Sequence, residues 1–401
     1  MNSQSLKFTR TFGLGGINAL LFIILVISGL LLRFSYIPTP ENAYNSILSL
    51  QNNSLFGNLL RNIHHWSAML IVITAFLHLL RVFYSQSIYY ERSRNWFYGL
   101  GLFIVILAFN FTGYLLPWDQ LSYWAVTIMT NIMEYIPFIG EGFANLIRGG
   151  ELVNQNTLLN FYNFHTALLP LLFMLFIAIH FWLIRKANGV TIADNSEHNK
   201  VPVNPYLINK EIIAALILII FISLISIFFN APLLEKANPM ISPNPSKAPW
   251  YFMGIQELLI HLHPLIVSLI IPLGLIILFI SIARTTIEKN RIGVWFYSQK
   301  GKQITIYSAT FAFVFTALLI LSLEYWIHLE QINLPSFVST GIIPLLLYLI
   351  PISGFILYIK TKQQADKIEI LISIVSIIFA SYIIMSFIGI CLRGEAMHLI
   401  F

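Results

Sequence analysis

The sequence predicts an all-α polytopic membrane protein of about nine spans, the first four forming a bundle. Two observations predict the class. Hydrophobic residues make up 57% of the chain and charged residues 10%, against about 25% charged in an ordinary soluble domain. Apolar runs of about 20 residues, enough to cross a bilayer as a helix, recur along the whole length. The short alternating segments of a lipid-facing barrel are absent. A third observation predicts the bundle: histidines and glycines recur at matched depths in the first four runs.

In chain order, the first span (12–33) carries Gly15 and Gly29. The second (57–81) carries His64, His65 and His78, and the third (95–116) carries Gly99 and Gly113. The fourth (161–185) carries His165 and His180. The remaining spans are 211–230, 264–284, 304–327, 337–360 and 368–391. Pro and Gly mark several ends, as turns require. Three consecutive segments are expected: 1–187 as the histidine-bearing bundle, 188–330 as further helices with a long outer loop, and 331–401 as additional membrane helices.

Orientation follows from Lys and Arg. With the N-terminus on the cytoplasm-like side, only Arg33, Arg61, Arg148, Lys236, Lys247 and Arg393 fall outside. The other 17 of 23, Lys7 and Arg10 among them, fall inside or at inner helix ends, as the positive-inside rule requires. The net charge of +6 therefore belongs to membrane flanks and signals no nucleic-acid partner. The single cysteine, Cys391, excludes a disulfide framework, a CxxCH haem attachment and a cysteine-ligated Fe–S cluster within this chain. The basic start leads into a run too long for a cleavable signal. Two outer loops are long: 117–160, containing LPWDQ and the moderately apolar IPFIGEGFANLIRGG, and 231–263, containing NPSKAPWYFMGIQELLIHLH. Long ordered loops are commonly functional.

The second and fourth spans run parallel, from outside to inside. His64 and His165 then lie near the outer ends, and His78 and His180 near the inner ends. Fourteen residues rise about 21 Å, so two sites fit one above the other in a core of about 30 Å. At about 100° per residue, His64 and His78 return within about 40° of one face, and His165 and His180 within about 60°. His65 and His78 diverge by about 140°, which favours His64 over His65. Gly15 and Gly29, like Gly99 and Gly113, repeat at the same separation, and glycine admits a flat macrocycle to a helix backbone. This pattern describes a four-helix bundle with two haem slots. Arg61 and Arg81, three residues from the histidines, can pair with haem propionates. A single histidine of this kind could be an ordinary partnered side chain; four at matched depth in lipid point to function. Zinc is disfavoured, because the pairs differ in depth and neither has a third ligand nearby.

GLGGIN, RNIHHWSA, FLHLLR, FTGYLLPWDQLSYWAV, FYNFHTALLP and HFWLIRKANG together resemble the cytochrome b subunit of quinol–cytochrome c or plastocyanin reductases. They are closest to the plastid, cyanobacterial and related bacterial branch, and the resemblance extends to about residue 330. It implies two bis-histidine b haems, His64 and His165 on the outer and His78 and His180 on the inner. It further implies quinol oxidation at the outer face, electron passage through both haems to an inner quinone site, and proton translocation. A Rieske-type Fe–S protein and a cytochrome c-like subunit are the implied partners, in a homodimeric complex of the bacterial inner membrane. Menaquinone is one candidate quinone. The reading as a dihaem anchor for another quinone-linked dehydrogenase stays open, and a histidine-coupled transporter is disfavoured by the lack of inverted repeats.

Three departures from that family stand out. Gly13 occupies the position of the thioether cysteine in plastid-type members, so no covalent haem is expected. The ninth span exceeds the usual number. The family's Pro-Glu-Trp-Tyr reads Ala248-Pro249-Trp250-Tyr251, so the quinol-facing glutamate is missing. Glu257 is the first candidate to replace it as proton acceptor, with His261 and His263 behind it. Trp250 and Tyr251 are expected to wall the quinol pocket, and Pro117, Trp118 and Asp119 to shape a turn near it. At the inner side Arg185, Lys186 and Asn18 are candidates for an inner quinone pocket. For the two basic residues, membrane anchoring is an equal alternative.

Overall fold

The computed structural model describes residues 4–6, 11–187, 189, 200–329 and 333–400; Lys7 and Arg10 lie outside these. Among the described residues, nine helical stretches are long and apolar enough to cross a membrane, matching the nine expected. Many of their large apolar side chains are exposed, for example Ile104, Leu171, Ile217 and Ile277, as a surface facing lipid requires. A short ribbon accompanies the helices: strand β1 (Gln4–Leu6) pairs antiparallel with β2 (Lys200–Pro202).

The first compact unit spans residues 1–126, 147–238 and 288–293. It contains α1 (Leu14–Leu32), the short α2 (Ala43–Asn53), α3 (Leu55–Tyr84) and α4 (Ser93–Leu115). After α5 (Gln120–Glu134) and α6 (Gly140–Arg148), which run into the other unit, come α7 (Gln155–Asn163), α8 (Leu169–Lys186) and α9 (Ile208–Phe228). Helix α1 packs on α3, α4 on α8, and α9 on α3. Helix α3 starts where Ser54 accepts from Gly57 N–H at 3.0 Å, satisfying one of the orphan donors of a helix N-terminus. Its first half in turn binds the C-terminal end of α9. Asn62 donates to the Ser226 carbonyl and accepts from Ala231 N–H, and Trp66 donates to the Phe229 carbonyl.

The fourth span is one helix with a fault in it. Residues Phe164–Leu168 form a π turn between α7 and α8, and Pro170 follows two residues later. Proline has no N–H and crowds the carbonyl four residues back, so the helix widens locally to i→i+5 bonding. The same arrangement recurs before Pro272, at Ile266–Ile270, and before Pro344, at Phe337–Ile342.

The second unit spans residues 127–146, 239–287 and 294–401. It contains α10 (Met253–His261), α11 (Ile271–Arg284), α12 (Gln299–Tyr325), α13 (Ile343–Lys362) and α14 (Lys367–Cys391). The three consecutive segments expected from sequence divide the chain differently: α9 groups with the histidine-bearing helices, and the last two helices group with the outer-loop helix α10. Helix α14 is the centre of this unit, packing on both α12 and α10. It opens with a capping box between Asp366 and Glu369. Along α12 it makes a ladder of hydroxyl pairs, Ser308 with Ser373 at 2.7 Å and Thr316 with Ser381 at 3.0 Å. Such bonds are worth roughly 0.6–2 kcal/mol each between membrane helices, where packing rather than hydrophobicity holds helices together.

Against α10, the ninth span uses glycine. A Cβ on Gly254 would meet the Tyr382 ring at 2.7 Å, and one on Gly389 would meet Met253 at 2.8 Å. Gly354 has open space. Gly254→Val is therefore expected to cost about 1–3 kcal/mol by overpacking and to lower the unfolding midpoint in detergent, while Gly354→Ala leaves it unchanged. Equal midpoints for the two variants would contradict this packing.

Candidate functional site: two histidine pairs and an outer charge cluster

Each of the four histidines meets the glycine predicted for its depth, and the pairing is by neighbouring helix. A Cβ built on Gly29 of α1 would lie 3.1 Å from His64 Cε1 of α3, and one on Gly113 of α4 would lie 2.7 Å from His165 Cε1. At the other depth the distances are 3.8 Å from Gly15 to His78 and 3.6 Å from Gly99 to His180. Glycine is thus what lets the edge of each imidazole approach the partner helix. His64 and His165 face each other with ring centroids 6.2 Å apart and planes at 72°. A metal–imidazole bond is about 2 Å, so two trans imidazoles on one metal have ring centres about 6 Å apart.

Hydrogen bonding assigns the tautomer of the outer pair. Ser28 gives its hydroxyl proton to the Ile24 carbonyl at 2.7 Å, and His64 Nδ1 lies 2.9 Å from the same oxygen. Thr112 donates to the Ala108 carbonyl at 2.8 Å, with His165 Nδ1 at 3.1 Å. Each hydroxyl has one proton to give, so each Nδ1–H is the donor. Nε2 is left with its lone pair, the form that ligates iron. Sequence reasoning missed Ser28 and Thr112. The signal was present as Ser28-Gly29 and Thr112-Gly113, a hydroxyl residue before the outer glycine in both helices.

The π turn explains the unequal spacing. His165 lies inside it, so the turn absorbs one residue, and the 15-residue separation in the fourth span serves like 14 in the second. Phe22, Phe109 and Phe173 fill the level between the two pairs, with Phe22 stacked on Phe173 at 4.1 Å and Phe109 edge-on to His165 at 5.7 Å. Asn18 accepts from Thr74 at 2.6 Å, a tie between α1 and α3. His65 turns its ring onto the Trp66 face at 5.0 Å.

The two arginines differ. The buried Nε of Arg81 has no hydrogen-bond partner, so it can serve an anionic group. Arg61 is engaged: it donates to Gln51 and to the carbonyls of Ala231 and Pro232, tying α3 to the start of the second outer loop. Asp119 does the same from the first loop, accepting from Ser122 N–H and Leu234 N–H. It follows Trp118, which is buried at φ 53°. At the inner end of α8 an open surface groove is lined by Ala178, Phe181, Trp182, Arg185 and Lys186, all on that one helix.

In the second unit the Ala248–Tyr251 motif is clamped by Gln256, which accepts from Ala248 N–H and donates to the Ser246 carbonyl, both at 2.6 Å. Tyr251 is buried and Trp250 is 38% exposed. The Tyr382 hydroxyl of α14 donates to the Tyr251 carbonyl. Glu257 is enclosed, hydrogen-bonded to Arg393 and His261. Burial pushes its carboxyl up, but the hydrogen bonds from His261 and Arg393 and the Arg393 charge outweigh this and hold it below the usual carboxylate range. Burial likewise works against the Arg393 cation, and Glu257 and Glu324 overcome it and hold that guanidinium above its ordinary value. His263 is held between Tyr135 and Phe337 rings at 5.5 and 5.3 Å. Arg393 and Glu324 were not found from sequence.

The model for the family Cytochrome b/b6/petB matches residues 2–188. Cytochrome b6 of Acaryochloris marina is 42% identical over 173 residues, covering 43% of this chain and 80% of that protein. The chain belongs to the cytochrome b/b6 family. Cytochrome b6 of Synechococcus elongatus is 41% identical over the same shares. Among solved structures, a chain titled "Hyperthermophilic respiratory Complex III" superposes with a TM-score of 0.67 at 22% identity, covering 94% of this chain and 92% of that one. This likeness is one of fold, and it takes in the C-terminal helices that the b6 relatives do not cover. The family binds b-type haem, and the glycine cradles, the 6.2 Å ring separation, the free Nε2 atoms and the unpartnered Arg81 Nε fit such a group.

The contacts rank the glycines. Gly113→Ala is expected to displace His165 and abolish the outer haem component in a redox titration, whereas Gly16→Ala, where a Cβ meets nothing within 4 Å, retains both components. A Gly113→Ala protein with both components intact would show that this contact does not shape the slot.

Proposed function

We propose that this cytochrome b is the haem-carrying subunit of a quinol oxidoreductase. It carries two bis-histidine b haems, the outer held by His64 and His165 and the inner by His78 and His180. The observation that supports this best is the meeting of four histidines with four glycines at two depths. Arg81 is the propionate partner, and Arg61 acts as a loop anchor. When bound, the haems supply one-electron redox chemistry.

The residues do the rest. Ser28 and Thr112 fix the imidazole tautomers, which keeps both Nε2 atoms available without a proton to lose. The phenylalanine layer excludes water between the two levels. Quinol is oxidised at the outer face, where Trp250 and Tyr251 form pocket wall. Glu257 takes the place of the glutamate missing from the motif, acting through His261. One electron goes to a Rieske-type Fe–S protein and a cytochrome c-like subunit. The other passes inward to a quinone site for which the open groove at Trp182, Arg185 and Lys186 is the candidate. Protons are released outside and taken up inside, in a homodimeric complex of a bacterial inner membrane.

Separate substitutions test the assignment. His64→Leu and His78→Leu are each expected to remove one redox component, and a different one, from a reduced-minus-oxidised titration of the purified protein. If both components survive either change, the ligand assignment is wrong.

A further inference from the structure

A charge cluster is assembled from three stretches far apart in sequence. Glu257 and His261 stand on α10, Glu324 on the last turn of α12, and Arg393 and His398 in the segment after α14. Arg393 donates from Nε and Nη2 to the two Glu257 oxygens, at 3.1 and 2.5 Å, and from Nη1 to Glu324 Oε2 at 2.8 Å. His261 Nε2 lies 3.2 Å from Glu257 Oε1 and 3.1 Å from Arg393 Nη2. The Glu257 and Arg393 side chains are fully enclosed. His398, 79% exposed, lies 3.5 Å from Glu324 and gives the cluster an edge in water. Tyr382 of α14 donates to the Tyr251 carbonyl, and Lys247 donates to the Ile390 carbonyl at 2.9 Å.

The charges do not cancel. Two carboxylates face one guanidinium, which does not deprotonate. With both imidazoles neutral, one negative charge is uncompensated. The extra carboxylate, Glu324, has a side chain 14% exposed, and a proton on an imidazole would cancel its charge. The Glu257–Arg393 pair alone is neutral, and Glu324 gives the cluster its extra negative charge.

We propose that this cluster is the proton-accepting station of the outer quinol site, with Arg393 as the positioning residue supplied by the ninth span. The inference rests on the quinol-oxidising reading above. The proton leaves a quinol hydroxyl and arrives on His261, taking the cluster from a charge of −1 to zero. The other hydroxyl proton and one electron leave to the Fe–S protein, and the second electron passes inward. Arg393 holds both carboxylates in place around the imidazole and sets how tightly the proton is held.

Two substitutions at the cluster should act in opposite senses. Glu324→Gln removes the uncompensated negative charge and weakens the hold on the proton. Arg393→Gln removes the positive charge and strengthens it. A unit charge at this range moves a titration by about one pH unit or more. The experiment measures oxidation of a short-chain quinol by the assembled, haem-loaded complex against pH, with a reduced-minus-oxidised spectrum of each variant. The acid limb of the profile is expected to move about one pH unit down for Glu324→Gln, about one unit up for Arg393→Gln, and to stay in place for Arg393→Lys. A merely structural role would lower the rate at every pH without moving the limb. Limbs that stay put, or move the same way, overturn the proposal while leaving the quinol reading intact. If Arg393→Gln does not assemble, the Glu324→Gln limb alone decides. A native complex with both haems and no quinol oxidation overturns the outer-site reading and this proposal together.

Discussion

The contact between an imidazole and a glycine of the neighbouring helix organises the first unit. An imidazole in the low-dielectric core of a membrane is costly unless it has a partner, and here its edge lies against a backbone with no side chain. The glycine of one helix therefore sets the position of the histidine on the next, and two such contacts per helix pair set depth as well as approach. The pairing of α1 with α3 and of α4 with α8 follows from these contacts. The hydroxyls of Ser28 and Thr112 add the last constraint, since they decide which ring nitrogen carries the proton. Small residues have the same use in the second unit, where Gly254 and Gly389 bring α14 close enough for Tyr382 to reach the Tyr251 carbonyl.

Much of this was legible in the amino-acid order because it is local or periodic. Apolar runs show spans, and a 14-residue repeat shows two levels on one helix face. The repeated His and Gly at equal separations show that the levels match between helices. The 15-residue spacing of His165 and His180 was legible, but the reason it works was not. That reason is the π turn before Pro170, whose missing N–H disturbs the helix one turn back.

Other features were hidden because they depend on tertiary contact. Nothing in the order of residues brings Arg393 to Glu257, 136 positions away. The same holds for the grouping of α9 with the first four spans, which rests on Asn62 and Trp66 binding the carbonyls at its end. The ninth span had no account from sequence, and the structure gives it one: it underlies α10 and delivers the cation that meets Glu257. The loss of glutamate from the Ala248–Tyr251 motif and the gain of this helix concern the same loop.

The central claim is that four histidines hold two haems in bis-imidazole coordination. Electron paramagnetic resonance of the oxidised, purified protein tests it most directly. Two distinct low-spin ferric signals are predicted, the outer one shaped by the steep 72° angle between the His64 and His165 rings. A single low-spin signal, or a high-spin signal from an iron lacking one imidazole, would contradict the account.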